Sequence, residues 1–174
     1  MNERGKIVPM GARRRAPSAQ HVAEFAEIAR RMREERDTAA NVVERLLRET
    51  PRERWRDLAE REELQTCGAL EKLGNRVAQI LKSDPRQALE IARLAVAVTE
   101  QLAPDAYHPV VLTQLRVHAS KDVGQALAYL GRYDEALAAL DRAESEAAAW
   151  GTLAHDHAIV RFVRATTLQD IDRH

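Results

Sequence analysis

Gly124-Gln125-Ala126-Leu127-Ala128-Tyr129-Leu130-Gly131-Arg132-Tyr133-Asp134-Glu135-Ala136 is the stretch that decides the fold. It sits between two helical patterns, Val110 to Leu130 and Tyr133 to about Ala149. Gly131 permits a tight turn between them, since glycine alone takes positive φ at little cost. Gly124 and Ala136 are small where the two helices are expected to cross. Tyr133 opens the second helix and covers the turn. The pattern continues through Leu140 to Ala143, whose small side chain leaves room for the helix that follows.

Gly124, Leu127, Gly131, Tyr133, Ala136 and Ala143 at this spacing resemble the tetratricopeptide repeat, a helix-turn-helix unit of ~34 residues. Ser120 stands where the family often has Trp, and Ala148 where Pro often ends the unit. Two weaker copies flank the middle one. Upstream, Ala88, Ala92 and Ala95 are in register with Ala136, Leu140 and Ala143, although the preceding helix, 67–82, carries Arg76 at the small position. Downstream, Ala165, Leu168, Asp172 and His174 stand in the register of Gly124, Leu127, Gly131 and Tyr133. The resemblance thus covers 67–174 as repeats over 67–102 and 110–149 and a half repeat over 152–174. It implies an all-α fold: antiparallel helix pairs stacked as a short right-handed tetratricopeptide-like solenoid.

Such arrays bind protein or peptide partners along a concave face lined by the first helix of each pair. The resemblance therefore implicates Gln114, His118, Lys121, Gln125, Arg161 and Arg164, chosen by helix phase. Lys121 and Arg161 suit a carboxylate or an acidic peptide. The half repeat at the end has three readings. The chain is part of a longer array, the last helix is a solvating cap, or its open face meets another chain, such as a second copy.

Working back toward the N-terminus, Ser83-Asp84-Pro85 separates a helix over 67–82 from one over 85–102, with Asp84 as cap and Pro85 in the first turn. The helix over 85–102 is apolar around much of its girth and is expected between neighbours. Residues 18–66 form a non-repeat helical segment. One amphipathic helix is expected from a cap at Ser18, with Val22, Phe25, Ala26, Ile28, Ala29 and Met32 inward, ending near Asp37. A second is expected over 41–49, with Val42, Val43, Leu46 and Leu47 inward. A third is expected over 52–63 after Thr50-Pro51, burying Trp55, Leu58 and Ala59. Residues 1–17, with Gly5, Pro9, Gly11, Pro17 and the basic run Arg13 to Arg15, are expected to be a disordered leader.

Totals narrow the function classes. Lys plus Arg equals Asp plus Glu at 27 each, which argues against a general nucleic-acid or membrane-surface binder. The leader's arginines keep open a second function, a regulator that contacts nucleic acid or a transcription factor. Hydrophobic residues make up 45% but aromatics only 4%, so the apolar content is Ala, Leu and Val and favours helices. A single cysteine, Cys67, excludes an internal disulfide and is expected as a small packed residue at a helix start. No run approaches a membrane span or an export signal, so the expected compartment is the cytoplasm.

No constellation points to catalysis, and neither a cofactor nor a metal is expected. His155-Asp156-His157 has metal-like composition, but two histidines two apart on a helix point roughly 200° apart. Asp156 there is better placed to complement a helix dipole. His108 and His118 stand alone. The carboxylates alternate with arginines along polar faces, as exposed i,i+4 pairs do. A protein-interaction module or scaffold is the expected function.

Overall fold

Three capping side chains set the frame of the molecule. Thr66 Oγ1 accepts from the Ala69 N–H at 3.1 Å, Asp84 Oδ1 from the Gln87 N–H at 2.9 Å and His108 Nδ1 from the Val110 N–H at 3.3 Å. Each satisfies an amide that the first helical turn leaves without a partner. Pro85 and Pro109 follow two of these caps, where a missing N–H costs nothing. The computed structural model describes residues 19–172, with side chains at 26, 27 and 29–172. It contains α1 (Ala19–Glu49), α2 (Cys67–Ile80), α3 (Pro85–Gln101), α4 (Pro109–Tyr129), α5 (Tyr133–Ala148) and α6 (Ala154–Ile171). No strand occurs among the described residues, and the fold is all-α. The leader 1–17, the cap at Ser18, the side chains of Val22, Phe25 and Ile28, and His174 lie outside the described residues.

The N-terminal segment departs from expectation in two places. The helices expected to part near Asp37 are one continuous helix, α1. Thr38 explains the difference. Its Oγ1 donates back to the Glu34 and Glu35 carbonyls at 3.0 and 3.2 Å, so it extends the helix instead of capping a new one. The segment after Pro51 is not an α-helix but two 3₁₀ stretches, Arg52–Glu60 and Glu62–Leu64. Three residues per turn put Trp55 and Leu58 on one edge, and both are buried with Ala59. The Trp55 indole N–H is shared between the Leu47 and Thr50 carbonyls at 3.2 and 3.0 Å, which pins the stretch to the end of α1. The last helix, within the half repeat over 152–174, starts at Ala154 behind a 3₁₀ turn over Gly151–Leu153.

Consecutive helices pack on one another from α1 through α6, and α4 also touches α2 and α6. The first 3₁₀ stretch lies on α3, which is therefore enclosed by α2, α4 and that stretch. The α4–α5 turn closes as its glycine requires. Gly131 has φ +71°, and the Arg132 N–H returns to the Leu127 carbonyl at 3.0 Å, the long bond of a Schellman end. Where α4 and α5 cross, a Cβ on Gly124 would stand 2.6 Å from Leu140 Cγ and 3.2 Å from the Ala136 carbonyl oxygen. Where α1 and α2 cross, a Cβ on Gly68 would stand 2.5 to 2.7 Å from the Glu35 and Arg36 backbone.

Two apolar clusters result. The larger joins Ala39, Val43, Leu46, Trp55, Leu58 and Leu64 to α2, α3 and the facing sides of α4 and α5, so the 18–66 segment shares its core with the segment that follows. The smaller unites Val117, Leu140, Ala143, Ala147, Val160 and Val163, and it seats α6 on α4 and α5. A fully buried Leu, Ile or Val such as Leu73, Ile91 or Val160 contributes about 1.5–3 kcal/mol. Among the described residues no helix is long and apolar enough to cross a membrane.

Candidate functional site

Gln114, His118, Lys121 and Gln125 recur at helical spacing and form one stripe of α4. The stripe is drawn into the molecule. Gln114 Nε2 lies 3.3 Å from both carboxylate oxygens of Asp156 on α6, and His118 Nε2 lies 2.6 Å from Asp156 Oδ1. An ionised carboxylate only accepts, so the His118 Nε2–H is the donor. Asp156 is buried. Burial opposes its ionisation, yet the hydrogen bonds from His118 and Gln114 outweigh that and hold the carboxyl below the usual carboxylate range. One turn on, Lys121 Nζ donates to Asp122 Oδ1. Asp122 faces α2, where a Cβ on Gly74 would come 3.3 Å from its Oδ2. Burial pushes the Asp122 carboxyl up, against the pull of Lys121 and His118. Gln125, partly buried, makes no side-chain hydrogen bond among the described residues.

Arg161 and Arg164 lie apart from that stripe, on the flank of α6 that meets α5. Arg164 Nε pairs with Asp141 Oδ1 at 2.7 Å, and Arg161 Nε approaches Glu144 Oε1 to 3.5 Å. His157 Nε2 reaches the same Glu144 oxygen at 3.4 Å. The six side chains implicated from sequence therefore divide between two places, and five of them already have partners within the chain. The His155-Asp156-His157 run divides as well, with Asp156 turned inward, His157 against α5 and His155 exposed. Among the described residues no group of three or more His, Cys, Asp or Glu side chains is arranged to hold a metal ion.

Open space lies on the opposite side of α4. Between α3 and α5 runs a groove of about 670 Å³ whose floor is apolar: Leu94, Val96, Ala97, Val123, Leu127, Ala138 and Ala139. Its walls carry both charges. Arg93 pairs with Glu90 at 3.2 Å, and Glu135 pairs with Arg132 at 2.6 Å. Arg56, Glu100 and Arg142 also line the groove and have no ion-pair or hydrogen-bond partner among the described residues. A smaller hollow of about 370 Å³ continues past Glu90, between Arg52, Arg86 and Arg132. A third hollow of about 490 Å³ lies between α1 and α2. Sequence reasoning passed over the main groove because its signal is small size. Ala97 on α3 and Ala138 and Ala139 on α5 leave a trough where larger side chains would have closed it.

One further polar cluster ties the loop before α4 to α1 and α2. The Tyr107 hydroxyl donates to Glu35 Oε2 at 2.7 Å and accepts from the Cys67 N–H at 3.0 Å. The Arg31 guanidinium stacks over the Tyr107 ring at 5.3 Å. Burial, with the bond to Glu35, pushes the Tyr107 phenol up to about 12. The Cys67 thiol, buried at the start of α2 beside Glu35 and Glu71, is likewise pushed up by burial and those two charges, which disfavours the reactive thiolate. No family model, curated protein or solved structure matches this chain.

Proposed function

We propose that this chain is a helical-repeat interaction module of the tetratricopeptide type, in which α2/α3 and α4/α5 are successive pairs and α6 begins a third. It holds a segment of a partner protein in the α3/α5 groove. Three features support the repeat reading: the glycine-closed α4–α5 turn, the Gly124 crossing, and the contact of α4 with both α2 and α6. The observation that carries the function is the contrast between the two sides of α4. One side has Gln114, His118 and Lys121 engaged by Asp156 and Asp122, with only Gln125 left over. The other presents an apolar floor bordered by Arg56, Glu100 and Arg142, none of which is paired within the described chain. Apolar floors with a few convergent charged groups are where binding surfaces form.

Affinity capture with the full chain and two variant sets tests this reading. Ala97→Glu and Ala139→Glu fill and charge the groove floor and are expected to abolish capture of the partner, with helix content by circular dichroism unchanged. Lys121→Ala and Gln125→Ala are expected to leave capture intact. The reverse pattern, loss through α4 and retention through the groove variants, would move the site to the face lined by α2, α4 and α6.

A further inference from the structure

Helix α6 has one buried face and, opposite it, an exposed apolar one. The buried face, Asp156, Val160, Val163 and Thr167, lies against α4 and α5. The opposite face carries Ala158, Phe162 and Ala165, flanked by Ile159 on one side and Leu168 on the other. All five are exposed, Phe162 at 70%. Residues 155, 158, 162, 165, 169 and 172 recur at alternating steps of three and four, the spacing of a coiled-coil seam. Within the described residues nothing lies over this seam.

We infer that α6 pairs in antiparallel fashion with α6 of a second copy, about a two-fold axis passing between residues 163 and 164. Two independent features point to that occupant. The first is register. Ala165 stands where Gly124 stands in α4, and there an antiparallel neighbour, α5, covers it with Ala136 and Leu140. The surface is thus shaped for a helix running the opposite way. The second is self-complementarity. With the axis at 163/164, Phe162 of one copy lies over the small Ala165 of the other, twice. Ala158 meets Gln169, and His155 meets the Asp172 carboxylate, so an imidazole donor faces an acceptor at both ends of the seam. A parallel pairing would instead set Asp172 against Asp172 and leave Phe162 against Phe162. The register rests on the repeat reading proposed above, but the pairing uses neither the α3/α5 groove nor its charges, so dimerisation and partner capture fail separately.

Sedimentation equilibrium on the full chain is expected to return twice 19.6 kDa. Phe162→Glu is expected to return the monomer mass with unchanged helix content, and Leu168→Glu to weaken the dimer at least tenfold. Cross-linking reads the register. Mixed under mild oxidation, chains carrying Ala158→Cys and Gln169→Cys are expected to give the mixed disulfide. Neither alone is expected to give a covalent dimer, because like positions sit about 16 Å apart along the seam. The unsubstituted chain, with Cys67 buried, is the control. A monomer at every concentration, a dimer indifferent to Phe162→Glu, or a disulfide formed by Ala158→Cys alone would each overturn the proposal.

Discussion

Three glycines carry different physical demands, and substitution to alanine separates them. At Gly68 the added methyl meets the Glu35 and Arg36 backbone, which cannot yield without moving α1. At Gly124 it meets the branch point of the buried Leu140 side chain and, less closely, the Ala136 carbonyl oxygen, so relief costs packing. At Gly131 it meets nothing within 4 Å, and the penalty is the left-handed backbone alone, about 1–2 kcal/mol. Denaturant melts of the three variants are therefore expected to rank Gly68→Ala as the most harmful, then Gly124→Ala at about 1–3 kcal/mol, then Gly131→Ala. Tyr107 makes a second prediction at this scale. Tyr107→Phe leaves Glu35 with Arg31 as its one remaining donor and the Cys67 N–H without an acceptor, an expected cost of about 1–3 kcal/mol. The phenol is held neutral up to about 12 against an ordinary value of 10. Its contribution is thus complete below pH 10 and is lost as pH rises through the folded value. Stability measured across that alkaline range is expected to fall more steeply in the parent than in Tyr107→Phe.

At the scale of the helix, Asp156 is the clamp between α4 and α6. Its folded carboxyl titrates below the ordinary 3.8, so the clamp acts above that value and is lost as pH falls through the lower one. Asp122 acts with the opposite sign: raised by burial, it withholds stability at neutral pH and returns it on acidification. The difference between the parent and Asp156→Asn isolates the clamp. It is expected to be about 1–2 kcal/mol at pH 7 and to shrink toward zero in acid, read from urea midpoints across pH. Helix identity was largely legible from sequence where an element announces its ends locally, as Thr66, Asp84-Pro85, Pro109 and Gly131 do. It was illegible where one residue type serves two ends. The polar pair Asp37-Thr38 reads as a helix end, but Thr38 bonds backward, and Pro51 opens a 3₁₀ stretch as readily as an α-helix, with Trp55 and its two carbonyls deciding between them. Site residues were harder to read. Phase placed Gln114, His118, Lys121 and Gln125 correctly on one stripe, but phase says nothing of Asp156 arriving from another helix 38 residues on from His118.

Across the whole molecule, the two apolar clusters divide the cooperative structure unevenly. α1, α2, α3 and the first 3₁₀ stretch share the larger one, whereas α6 rests on the smaller alone. In a stack where each helix leans on its neighbours, the end with the smaller cluster opens first. Hydrogen exchange is expected to show α3 amides protected at the level of global unfolding. Those of α6 and the last turns of α5 are expected to exchange at least tenfold faster, and protection of α6 is expected to rise with protein concentration if the second copy binds there. Uniform protection across all six helices would contradict this division.

The burial of Cys67 makes the molecule its own clock. A thiol-specific chromophore can reach that sulfur when α1 lifts from α2, because Gly68 holds the two backbones in contact one residue away. Since Cys67 is the sole thiol, the colour that develops counts a single event, the parting of that crossing.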